Sequence, residues 1–279
     1  MTIRFAVALG TLLASMSVSA QAKQTEAPLL VSTSWLADHM QDPDIVVLQT
    51  GQGAAARDQI PGARLVPHES LMTMSAHHDL AGASELVAAL ERAGVSNTSH
   101  VVIYGEPLAS GWLFFALDYL GHSRLSLLDG GLDKWRSEGR PLRAVGSLPP
   151  RTRFEARLRP QVKASVEVVQ NRPTSATALV DARSQNEYDA GHLPGAQLLT
   201  WQNVYADAKL QVFKSPGEVA ALFAAAGASA GKTAITYCQI GLRSSLLYFA
   251  ARYAGLSASN YVGSWSEWAA RGLPSEPAR

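Results

Sequence analysis

The sequence predicts an α/β protein of two tandem domains, each a mostly parallel sheet flanked by helices. Three observations predict it: an internal repeat, short apolar runs alternating with longer helical patterns, and a composition that supports two cores. Of 279 residues, 47% are hydrophobic and 17% charged, which favours packed cores over disorder. The second half echoes the first at an offset of 133 positions. Pro61-Gly62-Ala63 matches Pro194-Gly195-Ala196, Tyr104 matches Tyr237, Trp135 matches Trp268 and Pro141 matches Pro274. Gly94, Gly130 and Gly139 return as Gly227, Gly263 and Gly272. One register held over so many Gly, Pro and Trp positions indicates duplication.

In chain order, the first segment reads as a secretory leader. Arg4 precedes an apolar run from Phe5 to Met16, and Val18-Ser19-Ala20 or Ala20-Gln21-Ala22 offers a small-x-small cleavage site. Gly10, Thr11 and Ser15 interrupt the run, which falls short of the ~20 apolar residues of a spanning helix. Residues 1–22 are therefore expected to be cleaved, giving a periplasmic or secreted protein without a membrane partner. The first domain is expected over 23–145 and the second over 161–279. A linker is expected over 146–160, where Gly146, Pro149 and Pro150 break periodicity. Ile45 to Leu48, Val101 to Tyr104, Ala178 to Asp181 and Ala234 to Tyr237 read as buried strands. Ser84 to Ala93, Trp112 to Leu120, Pro216 to Ala226 and Arg243 to Tyr253 read as helices. Strand, helix, strand, helix implies parallel sheets.

The 24 basic and 23 acidic side chains leave a formal charge of +1, which argues against a nucleic-acid or anionic-membrane partner and leaves room for a local basic pocket. A monomer is expected. Cys238 is the sole cysteine, so no internal disulfide can form. His77, His78 and Asp79 adjoin each other, but adjacent side chains diverge and nothing completes a metal site. They read as a solvated loop, and no metal or cofactor is expected. His192 reads as a structural turn residue, and Trp135, Trp265 and Trp268 as packing anchors, with Trp265 also a candidate for lining a cleft.

Chemistry concentrates at Cys238-Gln239-Ile240-Gly241-Leu242-Arg243, between a β run and a helix. Open α/β sheets hold ligands at the carboxyl ends of their strands. Backbone N–H groups after the cysteine can curl around its sulfur, Gly241 permits an unusual dihedral, and the helix N-terminus favours an anion. Arg243 is available to hold a small oxyanion or to support the loop.

This loop resembles the active-site loop of the rhodanese family of two-domain thiosulfate sulfurtransferases. The resemblance extends to Asp181-Ala182-Arg183, Glu187-Tyr188, Gly191 to Ala196 and Tyr261 to Trp268. It implies that Cys238 carries sulfur as a persulfide, taken from thiosulfate and given to cyanide or a thiol. It also implies a catalytically silent first domain that forms one wall of the cleft. Gly105 stands opposite Cys238 at the repeat offset, and Leu48 opposite Asp181. Arg183, Arg243, Gln239 and Gly241 are the expected donor-binding residues and Asp181 the loop support. An Asp181–Arg183 pair with a purely structural role explains Arg183 equally well.

Gln239 and Ile240 stand where animal members carry two basic residues, and where members acting on mercaptopyruvate carry small ones. Thiosulfate is the expected donor, with 3-mercaptopyruvate as the alternative. A phosphatase is the less favoured reading, because four residues separate Cys238 from Arg243 where the phosphatase loop has five. A non-enzymatic persulfide carrier is a further alternative.

Overall fold

A computed structural model describes residues 27–51, 58–73, 78–144 and 149–277. The candidate leader, 1–22, lies outside these residues, as does His77. Among the described residues, no helix is long and apolar enough to cross a membrane.

Each half holds a five-stranded sheet, and every pairing within it is parallel. The first runs Leu30–Val31, Leu125–Leu128, His100–Gly105, Ile45–Thr50, Arg64–Leu65 across its width. The second repeats that order with Lys163–Ala164, Ala258–Tyr261, Thr233–Tyr237, Thr177–Asp181 and Gln197–Leu198. The central strands are buried and mainly apolar along their length, as parallel strands covered by helices on both faces are. Turns close in matched ways: Trp135 Nε1 donates to Pro141 O at 2.8 Å, and Trp268 Nε1 to Pro274 O at 2.7 Å.

The two halves join through helices Pro107–Tyr119 and Leu242–Tyr253. A Cβ on Gly111 would lie 2.8 Å from Leu246 Cα, so only glycine permits this approach. Phe114 packs edge-on against Phe249 and Phe115 against Tyr248. Asp118, buried at this seam, accepts from Arg159, Arg252 and the Tyr248 hydroxyl. Residues 109–118 of the first helix are all buried, as an all-round apolar helix requires. That dual contact also explains why the helix begins at Pro107, ahead of the expected Trp112. Its first turn is fixed by Pro at N1 and by packing rather than by amphipathic spacing.

The described part of the expected linker, from Pro149 on, is strapped down. Thr152 Oγ1 donates to Val95 O, Glu155 N to Asn97 Oδ1, and the Arg157 and Arg159 amides to Leu120 O and Tyr119 O. The solvated-loop expectation for His77, His78 and Asp79 is corrected at Asp79. Asp79 opens a short strand paired with Met72–Thr73, and its carboxylate meets Lys163 of the other half at 2.6 Å.

Candidate active site

Strand register corrects one repeat assignment. Tyr237 pairs with Asp181, whereas Tyr104 pairs with Gln49. Gln49, rather than Leu48, is therefore the counterpart of Asp181, because this strand is offset by one residue relative to the rest of the repeat. The side chains agree. Tyr237 OH donates to Asp181 Oδ2 at 2.6 Å and accepts from Leu193 N, while Tyr104 OH donates to Gln49 Oε1 at 3.0 Å and accepts from Ile60 N. Burial, and then the Asp181 charge, push the Tyr237 phenol well above its ordinary range, so it stays a donor.

Cys238 follows the end of the central strand Thr233–Tyr237, four residues before the helix that begins at Leu242. It is a free thiol with no exposed surface. Its own amide donates to Ser264 Oγ at 3.1 Å, and Ser264 Oγ donates to Tyr261 O. Trp265 N donates to Cys238 O, and Ser266 N and Oγ to Gln239 O. The loop is thus pinned from the start of helix Ser264–Ala270. Of the cradle of N–H groups expected from the sequence, one donates to the sulfur among the described residues: Gly241 N, 3.1 Å from Sγ. Gly241 adopts φ +90°, and a Cβ there would lie 2.8 Å from Val262 O, so the turn that aims this amide admits only glycine. Beneath it, Asn260 Nδ2 donates to Gly241 O and Ser244 Oγ lies 2.7 Å from Asn260 Oδ1.

The two arginines are placed differently. Arg183 is 2% exposed; its Nε donates to both Asp181 oxygens, and its Nη2 to Asp181 Oδ2 and to Gly191 O, each at 2.7 Å. Its face lies 4.7 Å from the Trp265 ring centroid. Of the two roles open to it, this geometry matches the structural anchor and not donor contact. Arg243 is half-buried and forms two 2.7 Å bonds with the Glu187 carboxylate. Glu187, and after it the nearby Cys238 sulfur, hold the Arg243 guanidinium more firmly protonated than usual. In return, Arg243 brings the Glu187 carboxyl down to about 2, helped by the Ser184 amide and hydroxyl. Gln239 does not reach outward, since its Nε2 donates to Ser266 Oγ at 3.2 Å. His192 is structural as expected: it stacks on Tyr188 and its Nδ1 lies 3.0 Å from Tyr188 O. Trp265 backs Arg183 at the edge of the site.

Glu187 and Ser264 stood within the resembling motifs, but sequence reasoning assigned neither a role. Glu187 was legible as the fourth position of a Ser184-x-x-Glu187 capping box, but its ion pair with Arg243 spans 56 residues. Ser264, at φ +54°, is a non-glycine in the left-handed region, a strained placement of the kind that gathers at functional sites. The repeat held a signal for it, because its counterpart Gly131 also has positive φ.

Fold and site together define a tandem α/β sulfurtransferase. The chain belongs to the rhodanese family: the family model described as Rhodanese-like domain matches residues 32–138 and again 165–271. It is 33% identical to the sulfur carrier protein TtuD of Thermus thermophilus, over 86% of this chain and 93% of that one. It is 29% identical to the thiosulfate sulfurtransferase of Bos taurus, covering 88% and 93%. The 3-mercaptopyruvate sulfotransferase SseA of Escherichia coli shares the fold at TM-score 0.76 and 24% identity, over 86% of this chain and 99% of that one.

Proposed function

We propose that the protein moves sulfane sulfur from thiosulfate to cyanide or a thiol through a persulfide on Cys238. The observation that carries this reading is the lone thiol at a strand-to-helix switch with the Gly241 amide directed at its sulfur. The Cys238 thiolate attacks the outer sulfur of thiosulfate. A new S–S bond forms as the donor's S–S bond breaks, and sulfite leaves with the bonding pair. The acceptor then attacks the outer sulfur of the persulfide, and the Cys238 thiolate departs with its electrons. Cyanide becomes thiocyanate in this step, and no external oxidant is needed. The Gly241 N–H and the start of helix Leu242–Tyr253 stabilise the anionic sulfur. Arg243 supplies the nearest positive field and orients the incoming oxyanion. Asp181, Arg183 and Glu187 hold the loop walls. The buried sulfur favours a small donor that delivers one atom.

Intact-mass measurement after thiosulfate treatment tests the proposal. Wild type gains the mass of one sulfur and loses it to cyanide, whereas Cys238→Ser gains none with its thermal unfolding unchanged. A wild-type protein that never gains sulfur refutes the reading. The name of the Thermus thermophilus relative favours one alternative, a stoichiometric persulfide carrier. Steady-state turnover with thiosulfate and cyanide supports the enzyme, and single transfer without turnover the carrier. We further propose that the protein acts as a monomer in the periplasm or outside the cell after loss of residues 1–22. N-terminal sequencing of the exported protein tests the cleavage.

A further inference from the structure

The Asp181–Arg183 and Glu187–Arg243 pairs both stand beside the Cys238 loop, but only the second is open to solvent. The Arg183 and Asp181 side chains are 2% and 0% exposed, against 22% and 34% for Arg243 and Glu187. An incoming donor therefore meets the Glu187–Arg243 pair. Nη1 and Nη2 of Arg243 each give one 2.7 Å hydrogen bond to Glu187. This end-on fork leaves Nε and one N–H on each terminal nitrogen outside the pair. Hydrogen-bond donors thus remain at the site, while a carboxylate of opposite sign offsets the charge that would draw an anion.

Helix capping does not account for this ion pair. Helices Gln185–Ala190 and Pro216–Ala225 start on the same capping box, Ser184-x-x-Glu187 and Ser215-x-x-Glu218. Glu187 Oε2 accepts from Ser184 N at 3.0 Å and from Ser184 Oγ at 2.7 Å. Glu218 Oε2 accepts from Ser215 N at 2.9 Å and from Ser215 Oγ at 2.6 Å. Glu218 completes that cap with no arginine bound to it among the described residues. Nor does the domain fold account for the pair. The first domain keeps the tyrosine bond at Gln49 and the bond from Trp135 to Pro141, yet both members of this pair are gone from it. Ser110 stands at the place of Arg243, and Ala54 or Ala55 at that of Glu187, according to which side of the one-residue offset is counted. The pair is present beside the thiol and missing where the thiol is missing.

We propose that Glu187 is a positioning residue that sets donor preference by charge. It fixes the Arg243 fork and offsets its charge, so that Cys238 takes sulfur from an organic thiosulfonate, a monoanion, as readily as from thiosulfate, a dianion. This rests on the persulfide reading above. The Cys238 thiolate attacks the outer sulfur of the thiosulfonate, an S–S bond forms as the donor's S–S bond breaks, and a sulfinate leaves with the bonding pair. Persulfide loading of the full chain, followed by intact mass against donor concentration at fixed ionic strength, tests the proposal with methanethiosulfonate and thiosulfate. Wild type should reach half-maximal loading rate at similar concentrations of the two. Removing one charge near the site acts twice as strongly on a dianion as on a monoanion. In Glu187→Gln, which keeps an oxygen for the helix cap, the half-saturating concentration should fall about threefold for methanethiosulfonate and about tenfold for thiosulfate, with little change in maximal rate. Glu218→Gln, which touches a cap alone, should move neither. If Glu187→Gln fails to fold, Arg243→Gln carries the test. It leaves the Glu187 charge without its counter-ion, so the rise for thiosulfate should be about the square of the rise for methanethiosulfonate. A wild type that strongly prefers thiosulfate, equal shifts for both donors, no shift, or the same shifts in Glu218→Gln overturn the proposal and leave the persulfide reading standing. No gain of sulfur from either donor overturns both.

Discussion

Arg183 and Arg243 lie on either side of Cys238 in sequence and carry the same charge, yet burial separates their roles. The sequence marked both as partners for an anion. It could not say that both charges are paired with carboxylates, or that only one pair is sealed from solvent, because those carboxylates sit 2 and 56 residues away. Arg183→Ala leaves Asp181 charged and buried, a loss of about 3–5 kcal/mol. Its expected signature is a large fall in unfolding midpoint, with the thiosulfate KM of the remaining folded protein near wild type. Arg243→Ala should do the reverse, raising KM while unfolding shifts little, since exposed or half-exposed pairs are worth about 0–1 kcal/mol. Chemical denaturation and steady-state kinetics on the same preparations check the pair. Reversed outcomes would exchange the two assignments.

At the scale of elements, what separates the two domains is a loop rather than a single side chain. In the second domain four residues intervene between Tyr237 and Leu242. In the first, the strand runs on through Gly105, which pairs with Thr50, and the helix begins at Pro107. Only Glu106 lies between, so there is no turn to aim an amide at a sulfur. Gly105 sits at φ +141°, and a Cβ there would meet Thr50 O at 1.8 Å. A Gly105→Cys change in the Cys238→Ser background is therefore expected to restore no sulfur transfer and to lower stability. Persulfide formation in that variant, read by intact mass, would mean that the backbone is less decisive than this geometry says. The repeat displayed Gly105 opposite Cys238 plainly. It did not display the strand extension, because a run such as Val-Val-Ile-Tyr-Gly ends on the same residue types whether it pairs for five positions or six.

For the molecule as a whole, burial of titratable groups is uneven between the domains. His100 and His122 lie in the first domain, and burial, as the largest cause, brings each down to about 4. Neighbouring Arg124 also pushes both down, while Asp44 partly supports the His100 cation. Both imidazoles are thus neutral when folded. With folded values below the unfolded 6.5, their stabilising contribution is complete above about pH 6.5 and is lost as pH falls toward about 4. Thermal unfolding followed from pH 7 to pH 4 should show falling stability, reduced in His122→Gln. A flat profile through this window would contradict the burial of these rings. The seam at Asp118 ties such loss to the second domain, because the helix it stabilises packs directly on the helix that starts beside Cys238.

The sequence by itself determined the two tandem domains, the parallel α/β class and the place of Cys238 directly after a central strand. Each of these rests on local pattern: apolar runs, Gly and Pro punctuation, and a spacing repeated 133 positions on. Only the tertiary structure decided that Gln49 answers Asp181, that Glu187 holds Arg243 and that Arg183 is sealed inside. These depend on strand register and on ion pairs across long stretches of chain, and both are settled by packing, which local residue preferences do not encode.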